Sequence, residues 1–212
     1  MAMTAALMMS GSVAQAQDVN IGRSNITLTS DLMTPETLWA MGRIGAAQAS
    51  PDGKKIVYQV GYYSVKENKG HQVLRVMDAD GKNDRLLTTS AKSEGDAAWL
   101  DNNTLAFLTG GQLWTMNADG TNRKQLTHSD IDIEGFRFSP DRKRVVLIKS
   151  IHYYGTIKQN PSDLPKATGM VITDMNYRHW DHYVTTNAHP FVADVTPEGI
   201  GAGIDVLEGE PY

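Results

Sequence analysis

Short apolar runs rich in Val, Ile, Leu and aromatic residues alternate along this chain with clusters of Asp, Gly, Asn, Ser and Pro, and the pattern repeats. Residues 76–90 read Val-Met-Asp-Ala-Asp-Gly-Lys-Asn-Asp-Arg-Leu-Leu-Thr-Thr-Ser, and residues 115–129 read Thr-Met-Asn-Ala-Asp-Gly-Thr-Asn-Arg-Lys-Gln-Leu-Thr-His-Ser. Laid over each other, Met77 falls on Met116, Ala79 on Ala118, Asp80-Gly81 on Asp119-Gly120, Asn83 on Asn122 and Leu87-Thr88 on Leu126-Thr127. In each copy an apolar strand end runs into Ala-Asp-Gly-x-Asn, where glycine supplies the positive φ of a tight turn, and a second strand closing on Leu-Thr follows. The pattern predicts a hairpin at both places.

A second cassette alternates with the first. Ser50-Pro51-Asp52-Gly53 leads into Ile56-Val57-Tyr58, a degenerate Leu100-Asp101-Asn102-Asn103 leads into Leu105-Ala106-Phe107, and Ser139-Pro140-Asp141-Arg142 leads into Val145-Val146-Leu147. Pro presets φ at the first central turn position, and the β-branched run after the turn reads as a strand. Two hairpins make a four-stranded antiparallel sheet that cannot bury both faces alone, so its neighbours must stack on it. Self-similarity at about 40 residues per unit, with several short strands in each, marks a β-propeller. The fold class expected is therefore all-β, a partial propeller of about three to four blades.

Strands are expected near 46–49, 55–63, 72–78 and 85–87 in the first blade, with a polar hairpin tip at 66–70. In the second blade, Gly110-Gly111 reads as a two-residue hairpin turn. The blades fall near 44–90, 94–129, 132–176 and 188–212, the last opened by a strand at His189-Pro190-Phe191-Val192. Ahead of them, a leader over 17–43 carries Thr34 as the cap of a short helix with Pro35 at its first position, turning Leu38 and Trp39 inward.

The chain has 212 residues, 41% hydrophobic and 21% charged, which is enough for one large all-β domain or part of a larger protein. A net charge of −4 gives no reason to expect the basic stripe that nucleic-acid binding requires, and no nucleic-acid partner is expected. Lys54-Lys55 and Arg142-Lys143-Arg144 sit in predicted turns and read as solvated charge. Thr4-Ala5-Ala6-Leu7-Met8-Met9 is a short apolar run, too short to span a membrane, and Ala14-Gln15-Ala16 has the form of a signal-peptidase site. A signal peptide over 1–16 is expected although no basic residue precedes the run, which puts the mature protein in a bacterial periplasm or outside the cell. The absence of cysteine is compatible with that compartment.

Candidate chemistry is sparse. A nucleophile elbow needs Gly-x-Ser-x-Gly, which occurs nowhere in the chain, and there is no alternation of strand and helix from which to build a hydrolase sheet. No catalytic residue is assigned. The densest titratable run is His179-Trp180-Asp181-His182, with His189 nearby. Strand alternation sends His179 and Asp181 to one face and His182 to the other, so neither a metal site nor a cofactor is expected. His71, His128 and His152 fall in or beside predicted turns.

The two cassettes resemble the repeats of TolB-like propellers and of the propeller of prolyl oligopeptidase family serine peptidases. Tyr177-Arg178-His179-Trp180-Asp181, followed by His189-Pro190-Phe191-Val192 and Gly209-Glu210-Pro211-Tyr212, is similar to the dipeptidyl-peptidase and acylaminoacyl-peptidase branch of that family. The resemblance implies a propeller joined in cis to an α/β-hydrolase domain, with short peptides as substrates. It also implies that this segment gates and positions substrate without bond chemistry, with Arg178, His179, Trp180 and Asp181 as candidates for the substrate-cavity wall. A noncatalytic TolB-like module that binds other proteins is the alternative. The Arg-His-Trp-Asp segment favours the first reading, and the missing triad keeps the second open.

Overall fold

The computed structural model describes residues 21–152, 157–158, 171–172 and 186–210. The expected signal at 1–16 and the candidates Arg178, His179, Trp180 and Asp181 lie outside the described residues.

Three four-stranded antiparallel sheets follow one another. Sheet I holds β1 (Arg43–Ala49), β2 (Lys55–Ser64), β3 (Lys69–Asp78) and β4 (Arg85–Leu86), in that order. Sheet II holds β5 (Glu94–Trp99), β6 (Thr104–Thr109), β7 (Gln112–Asn117) and β8 (Lys124–Gln125). Sheet III begins with β9 (Ile133–Phe138) and β10 (Arg144–His152). A separate pair, β11 (Ile157–Lys158) with β12 (Val171–Ile172), comes next in the chain, before sheet III is completed by β13 (Thr186–Asp194) and β14 (Ile204–Asp205).

The cassettes form their turns as expected. Gly53 donates its amide to Ser50 O at 2.8 Å with φ 69°, while the Ser50 hydroxyl donates to Asp52 and accepts from the Lys55 amide. In the other cassette Gly81 and Gly120 donate to Asp78 O and Asn117 O, with φ of 83° and 87°. The Leu-Thr ending has its own task. Leu87 is buried, and the Thr88 hydroxyl beside it accepts from the Leu74 amide at 2.8 Å, as the Thr127 hydroxyl does from Leu113 at 2.9 Å. Each threonine thus satisfies a buried strand amide that has no ladder partner once the outer strand ends.

The strand at 186–194 belongs to the third blade, not to a fourth. It pairs with β10 over nine positions, from Arg144↔Asp194 to His152↔Thr186. Val195 also takes the role that Ala79 and Ala118 play in the first two blades. Their amides donate to Lys143, Lys54 and Asn103 carbonyls respectively. The sequence hides this blade because a long insertion separates its two hairpins and because its outer turn, Thr196-Pro197-Glu198-Gly199, has lost the Asp-Gly and Leu-Thr signals.

Two apolar cores lie between the sheets. Val57, Leu74, Val76, Leu87, Leu105, Phe107 and Met116 join sheets I and II. Ala106, Leu113, Ile133, Val145, Leu147, Ala193 and Ile200 join sheets II and III. Strand alternation in β6 sends Leu105 and Phe107 to one core and Ala106 to the other, which is why that strand carries no polar face. Inner strands meet where the Trp99 indole donates to Gln48 O at 3.0 Å. At the outer edge each sheet reaches into the next: Arg85 donates to Ala118 O, and Lys124 donates to Pro197 O, both at 2.8 Å.

The leader helix α1 (Pro35–Ala40) has Thr34 as its cap, the Thr37 amide donating to Thr34 Oγ1 at 3.2 Å. Its side chains do not turn inward as expected. Leu38 and Trp39 are 44% and 42% exposed, because a helix of six residues has no full apolar face to bury and meets only the tip of sheet I.

Candidate functional site

A hollow follows from this placement of the leader. The hairpin between β2 and β3 turns at Asn68, with φ 47° and its amide donating to Val65 O at 3.2 Å. The leader and α1 line one hollow together with this hairpin. Between them lies a cavity of about 810 Å³, with Ile21, Ile26, Glu36, Trp39, Tyr63 and Glu67 in its lining. A second hollow of about 340 Å³ shares Trp39 and Tyr63 and extends toward Lys69 and Gly70. Both volumes fall within the usual range of about 300–1,000 Å³ for small-molecule sites.

Trp39 and Tyr63, shared by the two hollows, belong to an aromatic and cationic stack. Trp39 meets Tyr63 edge-on with ring centroids 5.6 Å apart, and the Arg43 guanidinium lies 4.9 Å from the first ring and 4.4 Å from the second. Such contacts are each worth about 0.5–1 kcal/mol at exposed positions, which orders side chains the helix alone leaves loose. Hydrogen bonds from its own backbone amide and from Thr34 hold the Glu36 carboxyl below its ordinary value, so this wall carries negative charge at neutral pH. The arrangement suits a ligand with an apolar or aromatic group and a polar end.

His71 is the residue that the sequence did not single out. It lies within β3 instead of beside a turn, and it is buried. Its Nδ1 is 2.8 Å from Ile21 O at the start of the leader, and its Nε2 is 3.3 Å from Lys92 O on the connection to β5. A histidine directly after Lys69-Gly70 carries no sequence signal for this, since both partners are backbone atoms distant along the chain.

Two further polar clusters are buried, one between the first two blades and one within the third. Glu94 is paired with Arg123, accepts from the Thr88 hydroxyl at 2.9 Å, and lies under a guanidinium stacked 5.0 Å from the Phe107 ring. These groups satisfy one another and lock sheet I to sheet II. In sheet III, Lys149 donates to Ala202 O at 2.7 Å and sits 4.5 Å from the Phe191 ring, and burial pushes its ammonium below its ordinary value. Beside it, His189 Nδ1 and Asp205 Oδ2 are 2.9 Å apart. Burial alone would raise the Asp205 carboxyl, but hydrogen bonds from His189 and the Leu207 amide outweigh it and hold the group below its ordinary value. His189, placed by its sequence near a histidine-rich run, therefore pairs with the outer strand of its own sheet. Among the described residues no group of three His, Asp or Glu side chains is gathered closely enough to hold a metal ion.

No family model matches the chain. Over 191 residues it is 43% identical to the dipeptidyl-peptidase 5 of Porphyromonas gingivalis and 37% identical to that of Porphyromonas endodontalis, in each case over 88% of this chain and 28% of the relative. It is 24% identical over 191 residues to the dipeptidyl-peptidase 5 of Aspergillus fumigatus. The chain thus spans little more than a quarter of the length of the curated relatives it matches. Among solved structures, an acylaminoacyl peptidase of Pyrococcus horikoshii superposes with a TM-score of 0.57 at 11% identity, covering 80% of this chain and 26% of that one. An acylaminoacyl peptidase in complex with Z-Gly-Gly-Phe-chloromethyl ketone superposes with a TM-score of 0.54 at 12% identity, over the same shares of the two chains. At those identities the likeness is one of fold.

Proposed function

Because this chain is the counterpart of the N-terminal propeller portion of prolyl oligopeptidase family serine peptidases, we propose that it holds and positions short peptides for an α/β-hydrolase domain and does no bond chemistry itself. The observation that carries this is the similarity to dipeptidyl-peptidase 5 along 88% of the chain, in a sequence without a nucleophile elbow. Activating a nucleophile and stabilising an oxyanion both require groups that these residues do not supply. In this reading the cavity under the leader receives an apolar side chain of the peptide against Trp39 and Tyr63, while Arg178, His179, Trp180 and Asp181 contribute to the substrate-cavity wall.

Two measurements on the purified chain test the proposal. It should release no product from dipeptidyl chromogenic substrates, and activity abolished by a serine-directed inhibitor would overturn the noncatalytic assignment. By calorimetry it should bind short peptides with an apolar residue near the amino terminus, and Trp39→Ala should weaken binding about tenfold, the loss of one well-packed aromatic contact. Undiminished binding to Trp39→Ala would remove the leader cavity from the site. Tight binding of folded proteins without any binding of peptides would favour the interaction-module reading.

A further inference from the structure

His71 presents both ring nitrogens to backbone carbonyl oxygens, Nδ1 to Ile21 O at 2.8 Å and Nε2 to Lys92 O at 3.3 Å. A neutral imidazole has one N–H, so it can donate to one of these oxygens and must turn a lone pair toward the other. The imidazolium has two N–H groups and satisfies both. Its bonds are also charge-assisted, which makes them roughly twice as strong as neutral ones. The two carbonyls belong to segments distant in sequence, the leader that walls the cavity and the connection between the first two blades. We propose that His71 is a proton-controlled clamp: protonated, it ties the leader to the first blade and to the connection, and on losing its proton it loosens the leader wall of the cavity.

The surroundings leave this response to the carbonyl pair. Tyr62 faces His71 as its register partner on β2, and Lys69 lies two positions back along β3. The leader brings Ile21, with Arg23 two residues on, and the connection brings Lys92 through its carbonyl. Glu36 of α1 and Glu67 of the hairpin line the cavity, and among the described residues no carboxylate bonds either ring nitrogen. The inference concerns the cavity wall itself and holds whatever the cavity binds.

The leader offers its own reporter in Arg23, two residues past Ile21, because trypsin cleaves there only when the local chain opens enough to enter the protease cleft. Nicking at Arg23 in the full chain would be followed from pH 5.5 to 8 and divided at each pH by the rate for a free peptide of the same local sequence. The normalised rate should rise about tenfold toward pH 8, the loss of one hydrogen bond to a charged donor. His71→Gln and His71→Phe should nick at a rate independent of pH. In parallel, ¹⁵N spectra of the histidine-labelled wild type, which need no variant, should show both His71 ring nitrogens protonated where nicking is slow and one where it is fast. A flat wild-type profile, the same pH response in both variants, or a single protonated nitrogen throughout would each overturn the clamp.

Discussion

At single positions the turns separate what glycine does from what its neighbours do. Gly81 holds φ 83° with nothing within 4 Å of where a Cβ would stand, so a side chain there meets backbone strain but no clash. Gly81→Val should cost on the order of 1–3 kcal/mol. The equivalent of Gly53 in the third blade is Arg142, at φ 58°. An L-residue in that region costs about 1–2 kcal/mol, partly offset because glycine is more disordered when unfolded. Arg142→Gly should therefore stabilise the protein by about 0.5 kcal/mol. Urea midpoints for the two variants should move in opposite directions, and a shift of the same sign would show that turn strain is not what distinguishes them.

Among the elements, β14 leans on side chains as well as on its ladder. It pairs with β13 at two positions, Phe191↔Asp205 and Val192↔Ile204, with Val206 bonded to Pro190 O just beyond, and is held besides by His189 on Asp205 and by Lys149 on Ala202 O. The Asp205 carboxyl is held below its ordinary value, so its contribution is fully present above the normal carboxylate range and is lost as pH falls through that range to the lowered value. Amide exchange at Val206, bonded to Pro190 O at 3.1 Å, should accelerate in acid beyond its intrinsic rate. His189→Ala should show fast exchange already at neutral pH, and equal protection in the two proteins would assign β14 to backbone pairing alone. The elements also show how much of the fold was legible in the sequence. Gly53, Gly81, Gly110, Gly111 and Gly120 all take the positive φ their cassettes imply, because a turn is fixed by a few adjacent residues. The third outer hairpin was not legible, since its glycine moved to position 199 and its partner strand lies beyond an insertion. The outward face of α1 and the bonds of His71 were equally hidden, being set by tertiary neighbours that leave no periodic trace.

Over the described residues, three stacked sheets enclose two cores, and the first-blade end is exposed and apolar. Leu28, Leu32 and Met33 of the leader are exposed, and every residue of β1 is exposed, including Ile44 at 73%. Exposed apolar surface with an edge strand beside it invites association. The chain expressed alone should oligomerise with rising concentration in size-exclusion chromatography with light scattering, and Ile44→Lys should shift it toward the monomer. A concentration-independent monomer would mean that the leader shields this end in solution.

Two basic residues at the outer edges point forward along the chain, while Arg123 of the second blade points back to Leu87 O and Glu94. Arg85 of the first blade grips a carbonyl in the second, and Lys124 of the second grips one in the third, so these two grips wait on chain made later. Blades emerging from a ribosome would be secured in order, each one's rim fastened only when its successor has formed its outer turn, as a row of shingles is held by the course laid over it.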